Sequence, residues 1–259
     1  MADAEQVPLE NTLTLMRDLR QRCEWDAAQT HESLRPYLIE EAHEVDDALR
    51  DGDDARLREE LGDLWLQILF HAVIAEERGA FTLNDVAAGF ITKMKGRHPH
   101  LYGDGAREPW ERMKARKRTS LSDGLPAGLP ALHRAHRLQD RAAGVGFDWP
   151  TAAGPLEKVR EELAEVESEL ASGDREKLSD EVGDLLFAVV NLARKAGVHP
   201  ALALDRANRK FSERFAAVER LAAERGISVQ DAGLAVLDSL WDEVKRSGDS
   251  GPQIGKVER

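Results

Sequence analysis

Residues 158–187 read KVREELAEVESELASGDREKLSDEVGDLLF and predict two helices joined by a short turn. The acids that define this segment form two pairs, each spaced by three positions: Glu162 with Glu165, and Glu181 with Asp184. Residues at i and i+3 share one face of a helix. Because the loop Ser172-Gly-Asp174 is short, we expect the two helices to form an antiparallel hairpin. Such a hairpin can bring all four carboxylates together.

The second helix of this hairpin is apolar around most of its circumference. Between residues 181 and 192, apolar side chains surround Glu181 and Asp184. A helix of this kind is expected to be buried, so its acids should point into an interior or a cleft. Bare carboxylates are costly there, and neighbouring like charges either take up protons or hold a cation. Carboxylate oxygens suit Mg²⁺, or Mn²⁺ as a substitute, whereas zinc prefers His and Cys.

The same pattern occurs earlier in the chain, with a constant offset of 121 residues. Its four acids are Glu41, Glu44, Glu60 and Asp63. The likeness resumes downstream, where Lys93 and Arg97 match Lys210 and Arg214, and Trp110 and Lys114 match Trp241 and Lys245. The chain therefore consists of two diverged copies of one helical unit, and the first copy contains a second candidate metal site.

The basic and aromatic residues of the second copy suggest a phosphate ligand. Lys210 and Arg214 share one helix face, and beside a metal cluster such cations would neutralise a triphosphate. Trp241 with Lys245 could offer a nucleotide a stacking face and a further cation. Taken alone, the first pair also fits a solvated surface, and Trp241 equally fits a helical core.

Composition divides the chain into two helical repeats. The segment 119–130, TSLSDGLPAGLP, is rich in Pro, Gly and small polar residues and is interpreted as a linker. The predicted units are therefore residues 9–118 and 131–246, followed by a flexible tail at 247–259. No segment shows the sustained period-two alternation of a strand, so the fold is predicted to be all-α.

Bulk properties exclude several classes of protein. The net charge of −12 argues against broad binding to nucleic acid or to anionic membranes, which requires surplus Lys and Arg. The single cysteine, Cys23, fits a reducing compartment. The most apolar segment, 64–75, is far shorter than the ~20 residues of a membrane span, and the N-terminus lacks a signal-peptide core. These features predict a cytoplasmic protein.

Two further segments complete a family resemblance: Gly96-Arg-His-Pro-His-Leu-Tyr102 and Val145-Gly-Phe-Asp-Trp149. Together with the two acidic units, they resemble the MazG nucleoside triphosphate pyrophosphohydrolases of the all-α NTP pyrophosphatase superfamily. The resemblance extends from Leu9 to Arg246. It implies a homodimer that hydrolyses (deoxy)nucleoside triphosphates to the monophosphate and pyrophosphate.

The resemblance also implies roles for individual residues, with the C-terminal repeat as the catalytic unit. The implied metal ligands are Glu162, Glu165, Glu181 and Asp184. The residues implied to surround the nucleotide are Lys158, Glu161, Lys177, Lys210, Arg214, Trp241 and Lys245. The implied reaction is metal-assisted attack of water at the α-phosphorus, with pyrophosphate leaving. Glu161, adjacent to the ligand Glu162, is the candidate general base.

Three questions stay open at this level. In the first repeat, Tyr37 replaces Lys158, so that copy is weakly active, regulatory or structural. A carboxylate-bridged di-iron bundle is suggested by Glu40-x-x-His43, but the second copy has Ala164 in place of that histidine. A non-catalytic, nucleotide-binding helical module for dimerisation or regulation is the alternative to an enzyme.

Overall fold

A computed structural model describes residues 8–108, 110–115 and 118–248. All regular structure in these ranges is helical, which confirms the predicted all-α fold. Contacts divide the chain into two compact units, Met1–Arg107 and Glu108–Arg259. The first unit contains α1 (Leu9–Arg22), α2 (Glu24–Ala28), α3 (Arg35–Asp51), α4 (Asp54–Glu77), α5 (Leu83–Arg97) and α6 (Pro99–Tyr102). The second contains α7 (Trp110–Ala115), α8 (Ala131–Gly144), α9 (Ala153–Ser172), α10 (Arg175–Lys195), α11 (Pro200–Glu224) and α12 (Gly233–Gly248).

Each unit contains one long helical hairpin, α3–α4 in the first and α9–α10 in the second. The two turns have the same chemistry. Gly52 and Gly173 end the first helix of each hairpin with φ of 69° and 76°, a region that L side chains rarely adopt. Asp53 and Asp174 then cap the next helix by accepting hydrogen bonds from two backbone N–H groups. Local sequence therefore fixes where each helix reverses.

The unit boundary differs from the boundaries predicted from the repeat. The sequence grouped residues up to 118 with the first copy and interpreted 119–130 as a linker, whereas α7 packs on α8 within the second unit. The buried guanidinium of Arg141 also donates to the backbone carbonyls of Leu121 and Asp123. Tertiary contacts thus attach the Pro- and Gly-rich segment to the second unit. The tail predicted at 247–259 lies outside the described residues from position 249 onward.

The hydrophobic cores are small, and the expectation that the second helix of each hairpin is buried is met by the C-terminal half of α4 but is wrong for α10. In the first unit, α1 and α4 bury a cluster that contains Met16, Phe70 and Val73. In the second, α11 and α12 bury Val218, Ala222 and Leu240. On α10, by contrast, Leu186 is 56% exposed.

No helix among the described residues combines the length and the apolar character needed to cross a membrane.

Candidate metal and nucleotide site

Three carboxylates of the second hairpin converge across α9 and α10. Glu162, Glu165 and Glu181 each offer an oxygen, and these oxygens lie within 4.8 Å of one another. Glu162 is buried, with 4% of its surface exposed, whereas Glu165 is exposed and Glu181 is half-buried. We call these three residues the carboxylate trio. Its donors are all hard oxygens, the set that Mg²⁺ and Mn²⁺ prefer, so the trio fits a divalent cation.

The trio is electrostatically unfavourable without a cation. The pKa of Glu165 is raised above its usual value, first by a hydrogen bond to Glu162 and then by burial and the charges of Glu162 and Glu181. A hydrogen bond between two carboxyl groups needs a shared proton. Carboxylates crowded in this way hold either a proton or a cation.

Lys158 supplies the positive charge nearest to the trio. It lies one helical turn before Glu162 on α9, and its Nζ is 2.6 Å from Oε1 of Glu162. The same Nζ donates to Oε1 of Glu161 at 2.8 Å. The hydrogen bonds to Glu161 and Glu162 hold the pKa of the Lys158 ammonium above its usual value. Lys158 is therefore a charged partner of the most buried ligand.

A cavity of about 590 Å³ adjoins the trio. Glu162 and Lys158 line it at one side, together with Asp184, which lies outside the trio. The rest of its wall is largely apolar or aromatic and comes from α8, α10 and the loops beside them: Leu121, Leu138, Ala142, Phe147, Trp149, Phe187 and Ala188. A mostly apolar cavity next to a metal-binding cluster is the usual setting of a small-molecule site.

Two buried amides give this cavity polar character. Gln139 on α8 donates through Nε2 to the carbonyl of Phe187 at 2.8 Å, while its buried Oε1 has no partner among the described residues. Asn191 on α10 accepts from Nε of Arg194 at 3.0 Å. Arg194 in turn forms an ion pair with Asp148 at 2.5 Å. The free oxygen of Gln139 is an acceptor for a ligand that presents an N–H group.

The remaining predicted nucleotide residues do not line this cavity. Lys210 and Arg214 lie on α11, exposed and half-buried respectively, and Lys245 is exposed on α12. Lys177 pairs with Asp174 at the hairpin turn, at a distance of 3.9 Å. Trp241 packs against the core of α11 and α12, with its ring 5.3 Å from that of Phe211. The packing of Trp241 thus agrees with the core interpretation that the sequence left open.

The first hairpin contains a similar trio, Glu41, Glu60 and Asp63, whose oxygens also lie within 4.8 Å of one another. Its charge balance differs. Burial, followed by the charges of Asp63 and Glu44, raises the pKa of Glu41. Oε2 of Glu41 is buried without a hydrogen-bond partner among the described residues.

In the first hairpin, the cation that pairs with the trio lies on the second helix, α4, and not on the first. Arg56 on α4 pairs with Glu60 at 3.3 Å, while Tyr37, at the position of Lys158, is 43% exposed. The two trios therefore overlap only in part, since Asp63 belongs to the first whereas Glu165 belongs to the second, and the first hairpin has no lysine at the position of Lys158.

An all-α chain with paired E-x-x-E and E-x-x-D helices, a carboxylate trio and an adjoining cavity defines the class of helical, divalent-cation-dependent phosphohydrolases. The family model for the MazG nucleotide pyrophosphohydrolase domain matches residues 29–102 and 153–218. The chain belongs to this family.

Relatives from several bacteria are similar over nearly the whole chain. The nucleoside triphosphate pyrophosphohydrolase of Escherichia coli K12 is 42% identical over 255 residues, which cover 92% of this chain and 97% of the relative. The nucleoside triphosphate pyrophosphohydrolase/pyrophosphatase MazG of Thermotoga maritima is 43% identical over 245 residues, covering 91% and 95%. The protein YabN of Bacillus subtilis is 43% identical over 248 residues, 90% of this chain but 51% of its own. The similarity therefore includes both repeats.

Sequence reasoning missed the cavity and its amides. Trp149 and Phe147 were noticed only as part of a family motif, although an aromatic pair beside Gly and Pro could have suggested a ligand wall. Gln139 lies within a basic helix, and no local pattern marks it as a site residue. Asn191 lies seven positions after Asp184 on the same stripe of α10, and this spacing was the one usable signal.

Proposed function

We propose that the second unit is the catalytic unit of this nucleoside triphosphate pyrophosphohydrolase. It hydrolyses a (deoxy)nucleoside triphosphate to the monophosphate and pyrophosphate, with water attacking the α-phosphorus, and so controls or cleanses the nucleotide pool. One observation gives the main support for the second unit as the catalytic unit. The carboxylate trio, a lysine and a largely apolar cavity adjoin one another in the second unit, so a triphosphate and its base can be bound side by side.

The proposed cofactor is Mg²⁺, with Mn²⁺ as a substitute. Glu162, Glu165 and Glu181 would hold it, and Asp184, which lines the adjoining cavity, would complete the set. When bound, such a cation supplies Lewis-acid activation of the phosphate and of the attacking water. The chain's own residues bind, orient and exchange protons around it.

The proposed nucleotide contacts follow the layout of the second unit. Lys158 neutralises phosphate oxygens next to the trio, and Lys210 and Arg214 of α11 are proposed to neutralise the remainder. Trp149 offers a stacking face to the base, and the free oxygen of Gln139 accepts a hydrogen bond from it. Lys177, Trp241 and Lys245 stay predictions from the family resemblance.

Glu161 is the proposed general base. Its side chain is 58% exposed and accepts a hydrogen bond from the Lys158 ammonium at 2.8 Å. When Lys158 contacts a phosphate instead, the Glu161 carboxylate is free to orient a water molecule and accept its proton.

The first unit is proposed to be non-catalytic. It retains a carboxylate trio that fits a cation, but Tyr37 cannot supply the charge of Lys158. We therefore expect a structural or regulatory role for this unit.

The chain is further proposed to act as a cytoplasmic homodimer that does not bind nucleic acid or membranes. Exposed apolar side chains on α10 and α11, including Leu186 (56%) and Phe211 (58%), support association with a second copy. The net charge of −12 supports the absence of nucleic-acid binding.

The test incubates the protein with a panel of canonical and damaged (d)NTPs and Mg²⁺ in H₂¹⁸O. The products are then separated, and the ¹⁸O content of each is measured by mass spectrometry. Attack at the α-phosphorus places the label in the monophosphate and leaves pyrophosphate unlabelled. Label in pyrophosphate, or formation of diphosphate and phosphate, would refute the proposed reaction. Tight nucleotide binding without turnover would instead support a non-catalytic binding module.

The matched variants are Glu162→Gln, which alters the most buried ligand, and Glu157→Gln, an exposed acid on the same helix. We expect the first to lose turnover and the second to retain it.

A further inference from the structure

Lys158 holds the same carboxylate that the metal ion requires. Its Nζ is 2.6 Å from Oε1 of Glu162, whose side chain is 5% exposed and is the most buried member of the trio. The ammonium also donates to Glu161 at 2.8 Å, and it lines the cavity proposed for the nucleotide. Lys158 is thus shared between the metal-binding group and the ligand space.

A divalent cation and the Lys158 ammonium repel each other when both contact Glu162. The repulsion is strong because burial weakens solvent screening around that carboxylate. A cation that enters the trio must therefore displace Lys158 or bind weakly beside it. Once displaced from Glu162, the Lys158 ammonium needs another anionic partner. Of its two described carboxylate partners, Glu161 remains, and the side chain of Glu161 is 58% exposed.

A triphosphate provides that anion. Its oxygens are strong acceptors for an ammonium, and they can also contact the same metal ion. We infer that Lys158 is an exchangeable counter-ion: it neutralises Glu162 while the site lacks metal and transfers to a phosphate when cation and nucleotide bind together. This inference rests on the proposed function of the second unit.

Positive coupling between metal and nucleotide is the direct consequence. Nucleotide binding removes the competitor of the metal, and by linkage the metal raises nucleotide affinity by the same factor. Metal without nucleotide then occupies the second unit weakly, so its carboxylates do not retain a cation that lacks its substrate. Lys158 is in this sense a positioning residue for the cofactor as well as a phosphate ligand.

The first unit must be silenced in the experiment, because its own trio also fits a divalent cation and Oε2 of Glu41 has no hydrogen-bond partner among the described residues. The full-length chain with Glu41→Gln and Asp63→Asn serves as the parent. Free Mn²⁺ is measured by electron paramagnetic resonance, with and without a non-hydrolysable α,β-methylene nucleotide. The method counts bound Mn²⁺ and does not depend on turnover.

Three variants of this parent are compared. Lys158→Met removes the charge at similar length, Lys158→Arg retains it, and Arg175→Met removes an exposed charge at the first position of α10. We expect Lys158→Met to bind Mn²⁺ alone about tenfold more tightly, and the coupling between Mn²⁺ and nucleotide to fall towards one, from the 5- to 150-fold range typical of coupled sites. Lys158→Arg should retain the coupling, and Arg175→Met should resemble the parent within about twofold.

Unchanged or weaker Mn²⁺ binding by a folded Lys158→Met protein would overturn the inference, with folding verified by circular dichroism. The proposed function fails separately. If the nucleotide panel shows no hydrolysis but Lys158→Met still tightens Mn²⁺ binding, the exchange of Lys158 is supported and the proposed hydrolytic activity is refuted. If hydrolysis occurs and Mn²⁺ binding is unaffected, the activity stands and the exchange does not.

Discussion

At the scale of single residues, Glu162 and Glu41 occupy equivalent positions in different surroundings. Glu162 is neutralised by Lys158 and lines a cavity, whereas the equivalent position of Lys158 near Glu41 is Tyr37. The carboxylate itself is therefore not what separates the two repeats. The described difference lies one helical turn earlier, where the second repeat has a lysine and the first has a tyrosine.

This contrast predicts that the two glutamates differ in their effect on turnover. Glu162→Gln removes a charged ligand next to the reacting phosphate and should lower kcat/KM by about 10²- to 10³-fold, as loss of one transition-state contact does. Glu41→Gln should change it by less than about threefold, because the first unit is proposed to be non-catalytic. Steady-state release of pyrophosphate from both variants measures the ranking, and the reverse order would mean that the first unit is the active one.

Gly154 gives a residue-scale prediction about the cavity. A Cβ at this position would lie 2.1 Å from Cδ1 of Trp149, so Gly154→Ala must displace the indole that lines the cavity wall. We expect KM to rise by about tenfold, with a smaller change in kcat, because base binding is altered and the trio is not. The emission of Trp149 should shift as well.

Gly128→Ala is the matched control, since a Cβ at that position meets nothing within 4 Å. Equal kinetic effects of the two substitutions would contradict the role assigned to Trp149.

At the scale of elements, the carboxylate of Glu111 on α7 forms an ion pair with α8. Glu111 accepts from Arg137 on α8 at 2.8 Å and from Arg118 at 3.1 Å, and it pairs with Lys114 at 3.3 Å. Burial opposes ionisation of this carboxyl, but the hydrogen bonds from Arg137 and Arg118 outweigh burial and lower its pKa to about 2. These contacts explain why α7 packs in the second unit.

Loss of this carboxylate should destabilise the second unit. Glu111→Gln removes the charged acceptor shared by Arg118 and Arg137, while Arg137 keeps its ion pair with Asp140, so we expect a cost of about 1–3 kcal/mol in the free energy of unfolding. Hydrogen exchange of residues 131–144 should accelerate, and urea unfolding should shift to lower concentration. Glu219→Gln, an exposed acid on α11, is the control and should leave both measurements unchanged.

The pH dependence of the same variant has a definite sign. Because the pKa of Glu111 is lower in the folded chain, its stabilisation is present above the unfolded pKa of about 4.3 and is lost as the pH falls towards 2. The parent should therefore lose more free energy of unfolding than Glu111→Gln between pH 5.5 and pH 3. An equal loss of unfolding free energy in both proteins would show that Glu111 does not contribute to this pH dependence.

At the scale of the whole molecule, exposed apolar side chains support the proposed association with a second copy. Val182, Leu186 and Val189 follow one another at helical spacing on α10 and are 40%, 56% and 44% exposed. Leu202 and Phe211 on α11 are exposed by 56% and 58%. Hydrophobic surface of this extent favours burial in an interface.

Leu186→Glu should convert a dimer into a monomer, because a charge on this face would be desolvated in the interface. Light scattering coupled to gel filtration should give twice the chain mass for the parent and the single-chain mass for the variant. Leu234→Glu, at a position that is 84% exposed on α12, should remain dimeric. A parent that is monomeric at micromolar concentration would rule out the proposed dimer.

The sequence by itself determined the helical class, the two hairpins and the positions of the acids. These features depend on local spacing: residues at i and i+3 share a face wherever a helix forms, and Gly173 with Asp174 reverses the chain through its own backbone conformation and side-chain cap. The repeat was equally accessible, because duplicated spacing needs no knowledge of contacts.

Only the tertiary structure decided how the charges pair and where the cavity lies. Gln139 reaches the carbonyl of Phe187 across 48 positions, and Arg141 reaches Leu121 across 20. No periodic pattern encodes such contacts, because they depend on how several helices pack at once. Several apolar side chains of α10 are exposed, although the sequence of this helix predicts burial. The reason is that burial depends on the number of neighbouring elements as well as on the apolar character of the helix.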